Sequence, residues 1–234
     1  MATFDFAAKG AARRLICLYV DTLRNEQIFV VTEAFCELVF VVTEDVCEGA
    51  TVRSNCASGG PSKLYKRIRA FLRDREALDL FFDKALGPPL TGEKHEKRLL
   101  RMNVCILRAL LKVKEFSKLL KEAEVLRRIQ PLLLHVSGWL DAERFTGLDN
   151  LERYILAMAL DALAEYLQAD AENGFALAAS GMLAPLRSHL PWKRGMPVLD
   201  LQGAKEVTWT LKTVVIIISG SIAKEWSQVA AVTS

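Results

Sequence analysis

The chain is expected to fold as an all-α array of stacked helices, and three observations point there. A nine-residue phrase is written twice at an offset of eleven residues. Apolar periodicities of helical pitch fill the segments between short breakers. A longer helical pattern recurs at intervals of a little more than fifty residues.

The first helix is expected over residues 8–23, and the duplicated phrase lies on a second, from about 25 to 48. FVVTEAFCE (29–37) returns as FVVTEDVCE (40–48). Side chains alternate along a strand, so an odd offset would send the two copies to opposite faces of a sheet. Eleven residues are close to three helical turns, so on a helix both copies keep the same faces. At 100° per residue Val31, Phe35, Leu38, Val42 and Val46 fall within roughly 80°, and Glu33, Glu37, Glu44 and Glu48 within roughly 60° on another side. No Gly, Pro or Asn separates the copies to make a turn. Val, Phe and Thr favour β structure, which keeps a pair of strands as the alternative. Cys36 and Cys47 share a face but stand about 16 Å apart along such a helix, too far to hold one metal ion, and are read as packing residues.

EGATVRSNCASGGPS (48–62) is the most loop-like stretch, with Gly59, Gly60 and Pro61 as its stop signal. KLYKRIRAFLRDREALDLFFDKAL (63–86) then places Leu64, Ile68 and Phe71 on one side and Lys63, Lys66, Arg67 and Arg73 on another. GPPLTGE breaks the chain, and Thr91 is placed to cap the Leu-rich helix that follows. Further breaks are expected at 136–150 and 191–200.

Between the breaks, residues 104–136 read much like residues 157–190 at a shift of 53 or 54. Each stretch has an apolar helix, a short polar break, a second helix, a small junction and a third apolar helix containing Pro131 or Pro185. A third start appears at KEVTWTLKTVVIIISGSIAKEWSQVAAV (205–232), whose TLKTVVIII is expected to be a central helix. Lys205, Glu206, Trp209 and Leu211, together with Ala179, Gly181, Leu183, Pro185, Leu186 and Leu190, resemble helices of the armadillo repeat of catenins and importin-like adaptors. The resemblance covers roughly residues 96–232. It implies an armadillo/HEAT-like right-handed stack, here preceded by an irregular N-terminal helical pair, and a protein-binding scaffold role. The repeats are spaced more widely than the family's, with long loops between them. The asparagine ladder with which peptide-binding members hold an extended backbone is replaced by Ala109, Ala162 and Thr213. Units that cannot cover their apolar sides alone must stack on neighbours, so the chain is read as one domain of 1–234, with N-terminal helices and loop in 1–62 and successive units at 63–136, 137–190 and 191–234. The acidic stripe of the second helix is one candidate for a polar end of the stack.

The 234 residues are 51% hydrophobic and 25% charged, a globular balance that argues against disorder. Five cysteines without clustered spacing fit reduced thiols and a cytoplasmic setting. The N-terminus makes a poor signal peptide, and the longest uncharged apolar run, Thr213 to Ala223, is far short of the ~20 residues of a membrane span. Net charge is +3, but it is divided as −3 over 1–62, +9 over 63–128 and −3 over 129–234.

Catalytic chemistry finds no signature. His95, His135 and His189 form no metal-binding spacing, and no Cys-x-x-Cys occurs. His135 and His189 are expected to meet the carbonyls that end their helices. ASGGPSK (57–63) lacks the spacing and preceding strand of a phosphate loop, and SGS (219–221) is not a nucleophile elbow. No catalytic residue, metal or cofactor is assigned, and the chain is read as non-enzymatic. Trp209 reads as core, while Trp139 and Trp192 lie beside loops, where local packing competes with an interface role.

The candidate binding residues are therefore Lys63, Lys66, Arg67, Arg69 and Arg73. Asp74, Glu76, Asp79 and Asp83 follow directly and are spaced to neutralise them. The expected partner is a protein with an acidic or extended segment, met by the surface of the stacked helices. Nucleic acid or acidic lipid on the basic segment 63–128 is the alternative, as is membership of a larger assembly.

Overall fold

A computed structural model describes residues 10–25, 28–52, 63–87, 93–140, 147–169 and 173, and among these every regular element is helical. The duplicated phrase lies on one helix, not two strands. The segment after 173, with Trp192, Trp209, Trp226, His189, the run TLKTVVIII and most of the second repeat, falls outside the described residues, as does Thr91.

α1 (Ala11–Arg24) starts after Gly10, whose φ of 87° lies in the left-handed region that glycine enters without penalty. α2 (Phe29–Val52) carries both copies of the phrase. Their shared phase is visible in burial: Thr32 and Thr43 are both interior, Glu33 and Glu44 both exposed, and Val30 and Val41 both on the outer strip. Phe35, Leu38 and Val42 are buried on the expected face. The two threonine hydroxyls donate to backbone carbonyls, that of Ile28 just before the helix and that of Phe40 within it, each at 3.1 Å, so the buried oxygens are not left bare.

The stretch 63–86, expected as a continuous pattern, is divided. α3 (Lys63–Phe71) ends, Leu72–Arg73 turn, and α4 (Arg75–Leu80) begins behind Asp74, whose side chain accepts from the Ala77 N–H at 3.2 Å. α4 then widens into a π turn over Phe81–Ala85, in which Leu86 N–H donates to Phe81 C=O at 3.2 Å. Phe81, Phe82 and Ala85 are all buried, as the inward side of that turn requires.

α5 (Lys94–Lys112) is the central rod and lies between α2 and α8 (Asn150–Ala169). From Leu99 to Leu111 only Arg101 and Arg108 escape full burial. Alanines 157, 159, 162 and 164 of α8 are buried too, and such small side chains let two helix backbones approach closely. Ala109 and Ala162, which stand at the ladder positions of the armadillo resemblance, are 2% and 1% exposed, so neither presents a side chain to a ligand. α6 (Lys114–Glu122) and α7 (Val125–Ser137, then a 3₁₀ turn Gly138–Leu140) follow α5 through the short junctions at Val113 and Ala123–Glu124.

One aromatic chain ties the N-terminal helices together. Tyr19 of α1 stacks on Phe35 of α2 at 4.1 Å, Phe35 meets Phe71 of α3 edge-on at 5.3 Å, and Phe71 meets Phe81 of the π turn at 6.2 Å. The other end of the described fold is fixed by a capping box. Asp149 accepts from the N–H groups of Leu151 and Glu152, each at 2.8 Å, while Glu152 accepts from the Asp149 N–H at 3.0 Å. Lys97 of α5 binds both carboxylates, at 2.7 and 3.4 Å, and so pins the start of α8. Trp139 is 3% exposed with His135 edge-on at 5.0 Å, which makes it a packing residue.

Candidate basic interaction surface

α3 places the five cations differently. Its inner side is fixed by Tyr65, Ile68 and Phe71, which are buried, so Lys63 and Lys66 point outward and Arg67 lies at the margin. Arg69 is drawn the other way, to Glu115 of α6 at 2.9 Å. The Tyr65 hydroxyl donates to the same carboxylate, and its ring stacks on Phe116 at 4.8 Å. Burial, aided by that carboxylate, pushes the Tyr65 pKa up to about 12. Arg69 therefore joins α3 to α6 and is taken out of the free surface.

Three of the four acids expected to neutralise α3 are engaged elsewhere. Asp74 caps α4, Glu76 pairs with Arg24 of α1 at 2.7 Å, and Asp79 pairs with Arg128 of α7. Hence Lys63, Lys66, Arg67 and Arg73 have no acidic ion-pair partner among the described residues. The spacing allowed the pairing, but the turn at 72–74 swings α4 away from the α3 register and gives its carboxylates to α1 and α7.

Arg73 is shared by two clefts. One, of about 580 Å³, is bordered by Lys66, Arg69 and Asp74. The other, of about 640 Å³, lies between α4 and the α6–α7 turn, with Arg75 and Arg127 beside Arg73. Arg67 instead faces a third cleft of about 420 Å³ with Arg13 and Arg24 of α1.

A second basic feature runs along α5. Lys94, Arg98, Arg101, Arg108 and Lys112 fall within roughly 80° of one another and span about 27 Å. Arg101 lies 5.3 Å over the Tyr154 ring of α8, and Arg108 pairs with Asp161 at 3.2 Å. Glu165 continues the α8 side; burial raises its pKa, against the pull of Lys112 and Arg108. Beneath this ridge Cys105 is buried and its pKa is raised by burial, while burial pushes Cys36 up to about 12. Both thiols are packing groups held protonated, as expected for Cys36; Cys17 is exposed.

Among the described residues no group of three or more His, Cys, Asp or Glu is placed to hold a metal ion, and no helix is long and apolar enough to cross a membrane. Comparison of the chain with protein-family models, curated proteins and solved structures finds no match.

The residues that sequence reasoning passed over are Arg75, Arg127 and Glu124 at the larger cleft, and Tyr154 beside the α5 ridge. The ridge itself has a signal, a period of three and four in KHEKRLLRMNVCILRALLK. The cleft has none, because it is made only when the α6–α7 turn comes up against α4.

Proposed function

We propose that this chain is a non-enzymatic protein-interaction module that binds an acidic segment of a partner protein through the exposed side of α3 and the adjoining clefts. The observation that carries the reading is the set of cations, Lys63, Lys66, Arg67 and Arg73, left without acidic partners while Asp74, Glu76 and Asp79 are committed to other helices. Uncompensated charge of one sign lining a concavity concentrates ligands of the other sign. The finer arrangement belongs to the same proposal. α5, α6 and α7 supply one three-helix unit and α8 begins the next against α5, as an armadillo- or HEAT-like stack requires.

A second reading, an adaptor for nucleic acid or acidic lipid, is favoured by the α5 ridge, whose length suits a run of phosphates. The two separate in one titration series. A labelled oligoglutamate peptide, an oligothymidylate and phosphatidylserine vesicles are offered to the full chain and to a K63E/K66E/R67E variant. Tighter binding of the peptide, lost in the variant, supports the module. Preference for the oligonucleotide or the vesicles, with affinity falling steeply as salt is raised, supports the adaptor.

A further inference from the structure

The larger cleft has chemistry beyond its charge. Its rim is basic, with Arg73, Arg75 and Arg127, but its lining also includes Leu78, Leu119 and Ala123. Leu119 and Ala123 are only partly buried, so part of the apolar lining is open to whatever enters. Arg73 and Arg75 have no acidic partner among the described residues, whereas Arg127 is held by Glu124 at 3.0 Å.

One irregularity of the backbone lies in the cleft wall, and a second lies just beyond it. Glu124, at φ 56° and ψ 39°, is the one non-glycine residue at positive φ among the described residues, and it forms the α6–α7 turn that walls the cleft. A side chain with a Cβ is strained there, and strain of this kind gathers at ligand sites. Leu78 and Asp79 of α4 belong to the opposite wall, and the π turn follows α4 just outside the cleft; such turns also concentrate at functional positions. Arg128 connects the walls: it pairs with Asp79 and lies 5.3 Å over the ring of Phe82 in the π turn.

We propose that the cleft between α4 and the α6–α7 turn seats a short acidic peptide that presents an apolar side chain between its carboxylates. This rests on the reading of the chain as an acid-binding interaction module and fixes where and what it binds. The apolar side chain lies on Leu119, Ala123 and Leu78, and the flanking carboxylates meet Arg73 and Arg75. Asp79 and Glu124 of the cleft lining are neutralised by Arg128 and Arg127, but Glu122 has no ion-pair partner among the described residues, and it selects against nucleic acid. A phosphate backbone is negative at every repeat and must meet that carboxylate, whereas a peptide can place an uncharged residue beside it.

The test is fluorescence anisotropy on the full chain with a labelled peptide of glutamates around a central leucine, its serine-centred and all-glutamine counterparts, and an oligothymidylate. The leucine peptide should bind about tenfold or more tightly than the serine peptide, the ratio expected for covering one such side chain. The all-glutamine peptide should not bind. R73E and R75E, both on exposed side chains, should each weaken binding by about tenfold. E124G removes a carboxylate, frees Arg127 and relieves the left-handed strain, so it should tighten binding a few-fold and raise the unfolding midpoint. If the serine peptide binds as well as the leucine peptide and E124G changes nothing, while K66E abolishes binding, the cleft assignment is overturned and acid binding by α3 stands. Tighter capture of the oligothymidylate overturns the partner class. Failure of every acidic peptide overturns both.

Discussion

Asn103 is wholly buried in α5, where its carbonyl oxygen accepts from the Tyr19 hydroxyl at 2.8 Å and its amide donates to the Ala85 carbonyl at 3.2 Å. One side chain thus joins α1, α5 and the last residue of the π turn. A π turn displaces the regular hydrogen-bonding partner of its carbonyls, and Asn103 supplies a donor at that point. Removing one member of such a set leaves buried groups without partners, which costs more than the bond itself contributes. Y19F should therefore destabilise by about 1–3 kcal/mol and N103A by about 3 kcal/mol or more, measured by urea unfolding. In Y19F/N103L both sides of the bond become apolar, and the loss should be smaller than the sum of the single losses by at least about 0.5 kcal/mol. Strict additivity would mean that the hydroxyl and the amide do not act as a pair.

At the scale of elements, α2 shows how the duplicated phrase becomes structure. Phe35 and Val30 both belong to its first copy, but Phe35 is fully buried between Tyr19 and Phe71 while Val30 is 59% exposed. F35A should cost about 3–5 kcal/mol, and V30K should stay within about 0.5 kcal/mol of the parent protein, both read from thermal or urea midpoints. Equal effects would show that the helix sits at a different rotation. This phase was legible from sequence because an offset of eleven is compatible with one helical face and incompatible with one strand face. The division of 63–86 was less legible. It contains no Gly or Pro, and its one marker is Asp74 three residues before Ala77, a cap that is ordinary within a charged run. The box formed by Asp149 and Glu152 was written plainly in LDNLE and was passed over within a longer break. For the binding surface, the outward face of α3 could be read from periodicity. The diversion of Arg69 to Glu115 and of Asp79 to Arg128 could not, since both depend on α6 and α7 arriving from 46 and 49 residues away. Glu124 sits in a left-handed turn without the Gly or Asn that advertises one.

For the whole molecule, the ionisable groups held in or against the core make stability one-sided in pH. Burial raises the pKa of Tyr19 well above 10.0 and that of Cys36 from 9.0 to about 12, and it also raises Cys105 and Tyr154. Lys97 is raised as well, chiefly by its hydrogen bond to Glu152. In every one of these the folded state keeps a proton that the unfolded chain gives up at lower pH. Above about 9 the unfolded state binds fewer protons, so stability falls as pH rises, by up to about 1.4 kcal/mol per pH unit for each fully buried group. On the acid side the two shifted carboxyls act in opposite directions. Asp149, lowered mainly by the Glu152 N–H, contributes stability that is lost as pH falls below its ordinary 3.8, whereas Glu165, raised by burial, contributes stability that is present below 4.5 and lost as pH rises through its folded value. Urea midpoints should therefore be level between about pH 6 and 8.5 and drop markedly by about pH 10.5. C36A should lie lower at neutral pH through lost packing but decline less steeply above pH 9, because it removes one of the two described thiols whose pKa folding raises. An equal midpoint at neutral pH and at pH 10.5 would contradict the placement of Tyr19, Cys36 and Cys105 in the interior around α5, and with it the assignment of α5 as the rod on which the other helices pack.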